Sequence, residues 1–223
     1  MKEIISHYEN GQIKETKFLL NGKLHGEYTS YFSNGRIMIR MHFADGVRNG
    51  EAVSYYRHGQ VREKGTFLND KFEGEYTSYY DNGQEREHEY YQNGKLEGRY
   101  LLHYRSGQIK DEEHYRAGKL DGEYRSFFKN GQLKEQGFFR EGKREGEYIA
   151  RYRNSQIREK ASYENGRLKD RFLCYDENGR SVPVKNQDGI VSSCQADETA
   201  EDKEKMVDDL LSRLGNFEKE KGR

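Results

Sequence analysis

The sequence has little of several residue types on which many folds depend. Among 223 residues there is one proline, no tryptophan and two cysteines, and the formal net charge is zero. No apolar run approaches the ~18 residues needed to span a bilayer, and no N-terminal stretch resembles a signal peptide. Cys174 and Cys194 have neither metal-ligand spacing nor a disulfide framework, which favours a reducing compartment. We therefore expect a cytoplasmic protein.

Charge and aromatic residues dominate what is present. Charged residues make up 35% of the chain, and 18 tyrosines and 11 phenylalanines supply large apolar areas. Such a composition favours a β-rich fold with an aromatic core over an aliphatic globular core. Acidic and basic residues are interspersed, so nucleic acid is not expected as a partner and membrane binding is disfavoured.

Two series of turn-like pairs divide the chain into 24-residue repeats. The first series is Asn10-Gly11, Asn34-Gly35, His58-Gly59, Asn82-Gly83, Ser106-Gly107, Asn130-Gly131, Asn154-Ser155 and Asn178-Gly179. The second series lies between them and is Asn21-Gly22, Asp45-Gly46, Asn69-Asp70, Asn93-Gly94, Ala117-Gly118, Glu141-Gly142 and Asn165-Gly166. Seven repeats therefore occupy residues 3–170, and a partial eighth follows.

These pairs predict β-hairpins, because Asn-Gly favours a type I′ turn in which both central residues have positive φ. Two turns per repeat imply two strands per repeat. We therefore predict an all-β fold for residues 1–180: an elongated, twisted, single antiparallel meander sheet of 24-residue hairpin repeats.

Two-residue loops at both turns would fix the cross-strand register. Tyr80 would then face Glu85, Ser78 would face Glu87, and across the next turn Glu87 would face Tyr100. Because strand side chains alternate between faces, this set shares one face of the sheet. In other repeats that face carries Tyr28, Phe32, Ile37 and Phe43, or Tyr124, Phe128, Leu133 and Phe139. The register therefore predicts an apolar face.

The opposite face is predicted to be charged. The same register sets Arg40 opposite Glu51 and Lys64 opposite Glu75. Cross-strand pairs of this kind contribute about 0.2–1 kcal/mol at most. We interpret this face as a solvated surface of salt bridges.

Carboxylates recur on the apolar face. They are Glu15, Glu63, Glu87, Asp111, Glu135 and Glu159, one in most repeats. The structural explanation is that Ser and Tyr hydroxyls across the strand satisfy each of them, since buried carboxylates need partners.

A functional explanation applies to the middle of the sheet. There Glu85 replaces the aliphatic residue of most other repeats, and five carboxylates would gather on an aromatic floor. Such a cluster fits a Lys/Arg-rich segment or other cationic group through ion pairs and cation–π contacts. The predicted partner-binding residues are Glu85, Glu87, Glu89, Asp111, Glu113, Tyr80, Tyr100, Tyr104 and Phe128.

Catalysis is not expected. The seven histidines show no ligand spacing, and neither a nucleophile motif nor a Gly-rich phosphate loop is present. Calcium binding is disfavoured because a flat strand does not surround a cation with six to eight oxygens. We therefore predict neither a cofactor nor a metal site.

The repeat decays after residue 180. Residues 181–198, which include Pro183, predict an irregular linker or an edge strand. Residues 199–215 predict a short amphipathic C-terminal α-helix, and residues 216–223 a disordered tail. The apolar stripe of that helix is Met206, Val207, Leu210, Leu211 and Leu214. The helix either caps the last strands or serves as a docking or dimerisation element.

The repeat resembles the MORN-repeat variant of bacterial proteins, many of which are assigned to a YwqK-type antitoxin family. The resemblance rests on "GEYTSYFSNGRI" (26–37), "GEYTSYYDNGQE" (74–85) and "GEYRSFFKNGQL" (122–133), each followed by a segment such as "YYQNGKLEG". It covers about three quarters of the chain and departs from the eukaryotic repeat in its lack of tryptophan. It implies a curved antiparallel sheet and a role in binding or scaffolding.

These observations together predict a protein–protein interaction module. The most concrete form is an antitoxin or immunity-type protein that binds a toxin or another cationic protein surface through its aromatic and acidic face. The alternatives are a self-associating structural scaffold, including a homodimer, and a membrane-associated adaptor of the MORN type.

Overall fold

The computed structural model describes residues 1–183, which form one antiparallel β-sheet of twenty strand segments. The predicted helix at 199–215, with Met206, Val207, Leu210, Leu211 and Leu214, lies outside the described residues. The strands are β1 Lys2–His7, β2 Ile13–Leu20, β3 Lys23–Tyr31, β4 Ile37–Ala44, β5 Val47–Tyr55, β6 Val61–Leu68, β7 Lys71–Phe72, β8 Gly74–Tyr79, β9 Glu85–Gln92, β10 Lys95–Leu96, β11 Gly98–His103, β12 Ile109–Arg116, β13 Lys119–Leu120, β14 Gly122–Phe127, β15 Leu133–Arg140, β16 Lys143–Arg151, β17 Ile157–Glu164, β18 Arg167–Leu168, β19 Leu173–Tyr175 and β20 Ser181–Val182.

Each strand pairs with its neighbours in the sequence, so the sheet is a meander. Short segments such as β7 and β8 are two parts of one strand, because both pair with β6. The sheet unit ends at Val182, directly before Pro183, which has no N–H to donate to a further ladder. The prediction of a single all-β meander of hairpin repeats is confirmed for these residues.

The second-series turns are two-residue type I′ loops, as predicted. Asn93 and Gly94 both have positive φ, at 52° and 77°, and Gln92 pairs with Lys95 across them. Ala117 and Glu141 occupy the same conformation at 52° and 50°. The hairpin therefore imposes a left-handed backbone even where the residue is neither Gly nor Asn.

The first-series turns are different, and the prediction of a type I′ loop there is wrong. The Gly83 N–H donates to the Tyr80 carbonyl and the Tyr80 N–H to the Gln84 carbonyl, which leaves a three-residue loop. Among the described turns of this series, only the second residue of each pair has positive φ, as Gly83 does at 84°. This is a type I turn followed by a left-handed residue, which forms a β-bulge.

A bulge follows each of the first seven first-series turns and changes which face one residue occupies. Ser78 faces Glu87 as predicted, but the register then shifts, and Glu85 faces Tyr79 instead of Tyr80. Ile37 and Leu133 correspondingly face Tyr31 and Phe127. These positions therefore belong to the predicted charged face, which corrects their assignment to the apolar face.

A second irregularity occurs where the repeat carries its Lys-Leu-x-Gly motif. Tyr91 faces Leu96 as predicted, but beyond Gly98, which has φ of 76°, the register is displaced by two residues. Glu87 consequently faces Leu102 and not Tyr100. A displacement of two keeps every side chain on its predicted face, because the side-chain period of a strand is two.

The same displacement separates the predicted charge pairs. Arg40 faces Val53 instead of Glu51, and Lys64 faces Thr77 instead of Glu75.

Most of the core lies on one side of the sheet, which we call the packed face and define by Tyr76, Glu87, Glu89, Tyr91 and Tyr100, while Val53 and Ile149 are buried on the opposite side. Its aromatic rings contact one another: the Phe72 ring centroid lies 5.2 Å from that of Tyr91 and 5.3 Å from that of Tyr76. The other side, which carries Glu75, His88, Tyr90 and Arg99, is the exposed face.

One feature of the last strands is not predicted by the cysteine count. Cys174 in β19 is fully buried and disulfide-bonded. Cys194 lies outside the described residues.

Candidate functional site

The predicted acidic cluster is divided between the two faces. Glu87, Glu89, Asp111 and Glu113 lie on the packed face and are at most 8% exposed. Glu85 lies on the exposed face, where its side chain is 39% exposed. The structure therefore brings four of the five carboxylates together within the core and separates the fifth.

The repeating carboxylates form a row that crosses the sheet perpendicular to its strands. Glu63, Glu87 and Asp111 are joined through intervening residues: Glu63 faces Ser78, Ser78 faces Glu87, Glu87 faces Leu102, and Leu102 faces Asp111. Ser78 donates its hydroxyl proton to Glu87 over 2.7 Å. The arrangement agrees with the structural explanation, in which neighbouring side chains satisfy the row.

Basic residues complete the row, and their position on the packed face was not predicted. The residue before each carboxylate is Lys or Arg, and the bulge directs both side chains to the packed face. The resulting ion pairs are Arg62–Glu63 at 3.2 Å, Arg86–Glu87 at 2.9 Å, Lys110–Asp111 at 3.8 Å, Lys134–Glu135 at 3.8 Å and Arg158–Glu159 at 3.3 Å. In the repeat that lacks the acid, Met38 and Ile39 replace both members of the pair.

Glu89 and Glu113 lie outside this row and have tyrosine partners. The Tyr91 hydroxyl donates to Glu89 over 2.6 Å, and the Tyr115 hydroxyl donates to Glu113 over 2.7 Å. Burial raises the pKa of both tyrosines, and the adjacent carboxylates raise it further. Where other repeats have Met41, Gly65 or Gly137, the aromatic residue two positions later is Phe43, Phe67 or Phe139. Both buried carboxylates therefore have a tyrosine donor, whereas Tyr163, which follows Ala161, accepts a hydrogen bond from Arg144 instead.

Tyr80 and Tyr104, predicted to bind a partner, connect successive repeats. Their hydroxyls donate to the carbonyl oxygens of His103 and Phe127, each over 2.7 Å. Tyr8, Tyr56 and Tyr152 make the equivalent bonds to Tyr31, Tyr79 and Tyr175.

The two other aromatic residues of the predicted site have different surroundings. Phe128 occupies the position of Tyr104 in the next repeat without a hydroxyl, and the Arg153 guanidinium lies 5.9 Å from its ring centroid. Tyr100 is 3% exposed and faces Glu113 on the packed face. Neither residue lies beside Glu85.

A groove opens on the exposed face at the centre of the sheet. It has a volume of about 560 Å³ and is lined by Glu85, His88, Tyr90, Glu97, Gly98, Arg99 and Leu101. Tyr90 is 45% exposed, although it is a large aromatic residue. The groove lies beside the register displacement between β9 and β11 at Gly98.

The charged groups of the groove are not equally available. The Arg99 guanidinium lies 2.8 Å from the Glu112 carboxylate, and the Glu97 carboxylate accepts a 2.7 Å hydrogen bond from the Ala117 N–H. Glu85 has His88 as its neighbour, with 3.7 Å between its carboxylate and the imidazole Nδ1. Glu85 therefore interacts only electrostatically with its surroundings, through His88 and through the Lys64 ammonium on β6, whereas Glu97 accepts a backbone hydrogen bond.

Of the residues that line this groove, only Glu85 belongs to the partner-binding set predicted from the sequence. The departure of position 85 from its aliphatic pattern was the available signal. Tyr90 and Leu101 were missed because their positions vary between repeats and carry no motif.

Other kinds of site have no support in the described part of the chain. Within residues 1–183, no group of three or more His, Cys, Asp or Glu side chains is arranged to hold a metal ion. No helix in that range has the length and apolar character needed to cross a membrane.

The fold and this surface define a tandem-hairpin repeat protein with one packed and one exposed face. The model of the MORN repeat variant family matches six segments, at residues 24–45, 48–69, 72–93, 96–117, 120–141 and 144–165, and the chain belongs to this family. MORN repeats are generally associated with protein–protein or membrane interactions. No curated protein matches the sequence.

Proposed function

We propose that this chain is a non-catalytic protein–protein interaction module that binds its partner through the exposed face. More concretely, we propose a bacterial antitoxin or immunity-type protein that engages a cationic surface of a toxin. The observation that carries the proposal is the division of the carboxylates. Glu87 and Asp111 are held within the packed face, whereas Glu85 is directed into an open groove.

The exposed face has the composition of a recognition surface. Tyr90 and Phe138 are 45% and 39% exposed, and each faces a glutamate on the neighbouring strand, Glu75 or Glu123. Aromatic anchors beside charged groups are typical of binding surfaces, where the ring supplies area and the charge supplies orientation. Such a surface favours a basic partner over nucleic acid.

The test begins with a tagged full-length chain expressed in its native host. A captured partner is then purified separately and titrated with the chain in a calorimeter. We expect a defined stoichiometric complex whose affinity falls as the salt concentration rises, because the surfaces are oppositely charged. Co-expression of the chain should also relieve any growth inhibition that the partner causes.

Two results would contradict the proposal. A chain that forms defined oligomers in light scattering, and binds no purified candidate, would indicate the self-associating scaffold. Retention on anionic lipid vesicles but not on neutral ones would indicate the membrane-associated adaptor.

A further inference from the structure

The residue at position 85 is not required by the fold. The same position carries an aliphatic residue in the other repeats: Ile13, Ile37, Val61, Ile109, Leu133 and Ile157. In these repeats the aliphatic residue faces its cross-strand partner with the same bulged register that Glu85 has with Tyr79. The chain thus contains six internal controls, and each shows that the scaffold forms without a carboxylate here.

The groove has an excess of negative charge when His88 is neutral. Arg99 is engaged by Glu112, and Glu97 accepts a hydrogen bond from the backbone of the next repeat. The contact between Glu85 and His88 is an ion pair only when the imidazole is protonated. A cation entering the groove therefore meets a carboxylate that is not paired with the Arg99 guanidinium, although the Lys64 ammonium on β6, outside the groove lining, interacts with it electrostatically.

The shape of the groove favours a planar cation. Among the residues that line it, Tyr90 supplies a half-exposed aromatic ring, Leu101 adds an apolar surface, and Glu85 supplies a carboxylate. A guanidinium group stacks on an aromatic face and pairs with a carboxylate through a fork of two N–H donors. An ammonium group has the charge but not the plane, so it satisfies fewer of these contacts.

We propose that this groove binds an arginine side chain of the partner protein, with the guanidinium stacked on Tyr90 and paired with Glu85. The inference rests on the proposed function, because it names the chemistry by which that partner is recognised. Glu75, which is exposed and faces Tyr90 from β8, adds a second negative charge on the neighbouring strand.

The proposal is tested by titrating the full chain with N-acetylarginine methylamide and recording the ring signals of His88 and Tyr90 by NMR. We expect saturable shifts at both residues and weaker binding of the lysine analogue. Glu85→Ile, which installs the residue of other repeats, should fold normally and weaken arginine binding by about tenfold or more. Glu85→Gln keeps the shape of the side chain and should weaken binding similarly.

A matched control removes the same charge elsewhere on the exposed face. Glu147 is paired with Lys160 at 2.5 Å, outside the groove, so Glu147→Gln should change arginine binding less than about twofold. If Glu85→Ile bound the probe as tightly as the wild type, or if both variants weakened binding equally, a specific arginine site would be refuted.

Different results would reject the proposed function and the proposed arginine site. If the purified partner binds the wild-type chain and Glu85→Ile with equal affinity, the interaction module remains and the arginine groove is rejected. If the arginine probe binds at His88 and Tyr90 but the chain acts as a self-associating scaffold, the groove remains and the proposed function is rejected.

Discussion

Tyr91 donates its hydroxyl proton to Glu89, two residues earlier on the same strand, over 2.6 Å. Both side chains are buried on the packed face, at 3% and 0% exposure. The nearest comparison within the chain is Met41 and Phe43, which occupy the same two positions in another repeat without either polar group. The carboxylate and the hydroxyl thus behave as one structural unit.

Tyr91→Phe should therefore destabilise the sheet by about 1.5–3 kcal/mol, because it removes a buried donor to a charged group. The double variant Glu89→Met, Tyr91→Phe, which reproduces Met41 and Phe43, should lie closer to the wild type than the single variant does. Urea unfolding followed by circular dichroism measures both. Additive effects of the two substitutions would show that the residues are not coupled.

The pair of Arg86 and Glu87 supplies a second internal comparison. Arg86→Met alone leaves the buried carboxylate without its 2.9 Å guanidinium contact and should cost about 3–5 kcal/mol. Arg86→Met with Glu87→Ile reproduces Met38 and Ile39 and should recover most of that loss. The free energies of unfolding of the wild type, Arg86→Met and the double variant test this expectation. A double variant no more stable than Arg86→Met would contradict the coupling of the two residues.

The tyrosine bonds between repeats should each make a modest contribution. Tyr80→Phe removes the bond to the His103 carbonyl and should lower the free energy of unfolding by about 0.5–1.5 kcal/mol. The reciprocal change, Phe128→Tyr, adds a hydroxyl at an equivalent position and should stabilise the sheet. Amide hydrogen exchange around residue 103 would report the loss locally, and unchanged exchange there would argue against this role.

Two glycines at equivalent irregularities are expected to differ in their tolerance of a side chain. A Cβ at Gly122, where φ is 139°, would lie 2.8 Å from the His114 Cβ, whereas a Cβ at Gly74, where φ is 80°, meets nothing within 4 Å. Gly74→Ala should cost about 1–2 kcal/mol for the left-handed backbone alone. Gly122→Ala should cost more, and equal thermal shifts of the two variants would be inconsistent with a steric contribution.

Stability should fall at alkaline pH. Burial raises the pKa of Tyr28 to about 12 from its usual 10.0, and it raises that of Tyr124 as well. Above pH 10 the unfolded chain loses these protons while the folded chain keeps them, so the free energy of unfolding decreases as pH rises from 10 towards 12. Urea titrations from pH 8 to 11.5 measure the slope, which Tyr124→Phe should make shallower. A flat profile would contradict this linkage.

Much of the sheet was predictable because each 24-residue repeat contains two turn-like pairs, one from each series. The type I′ turn at Asn93-Gly94 and the pairing of Tyr91 with Leu96 follow from that turn alone. The pairing of Ser78 with Glu87 was also predicted correctly, although the first-series turn was not. The three-residue loop shifts the register by one residue, and the bulge between Glu85 and Glu87 shifts it back. The predicted pairing beyond the bulge is therefore correct.

The errors arise where one dipeptide is compatible with two backbone conformations. Asn-Gly occurs in both kinds of turn, and only the glycine is left-handed at Asn82-Gly83. That difference moves Glu85 to the exposed face, and so it decides which carboxylate is available to a partner. The groove could not be predicted as a unit, because it lies beside a register displacement between β9 and β11 at Gly98 that no turn motif indicates.

The bonds between repeats also bear on how the length of such a chain changes. Tyr80 reaches the carbonyl 23 residues ahead, and at the opposite turns the Gly94 N–H reaches the Phe72 carbonyl 22 residues behind. Excision or duplication of one 24-residue unit therefore returns every donor to an equivalent acceptor. Unequal recombination in the gene would therefore lengthen or shorten the protein while the hydrogen bonds between repeats still form at the new junction. The groove around Glu85, in contrast, occurs once and would be lost or duplicated together with its repeat.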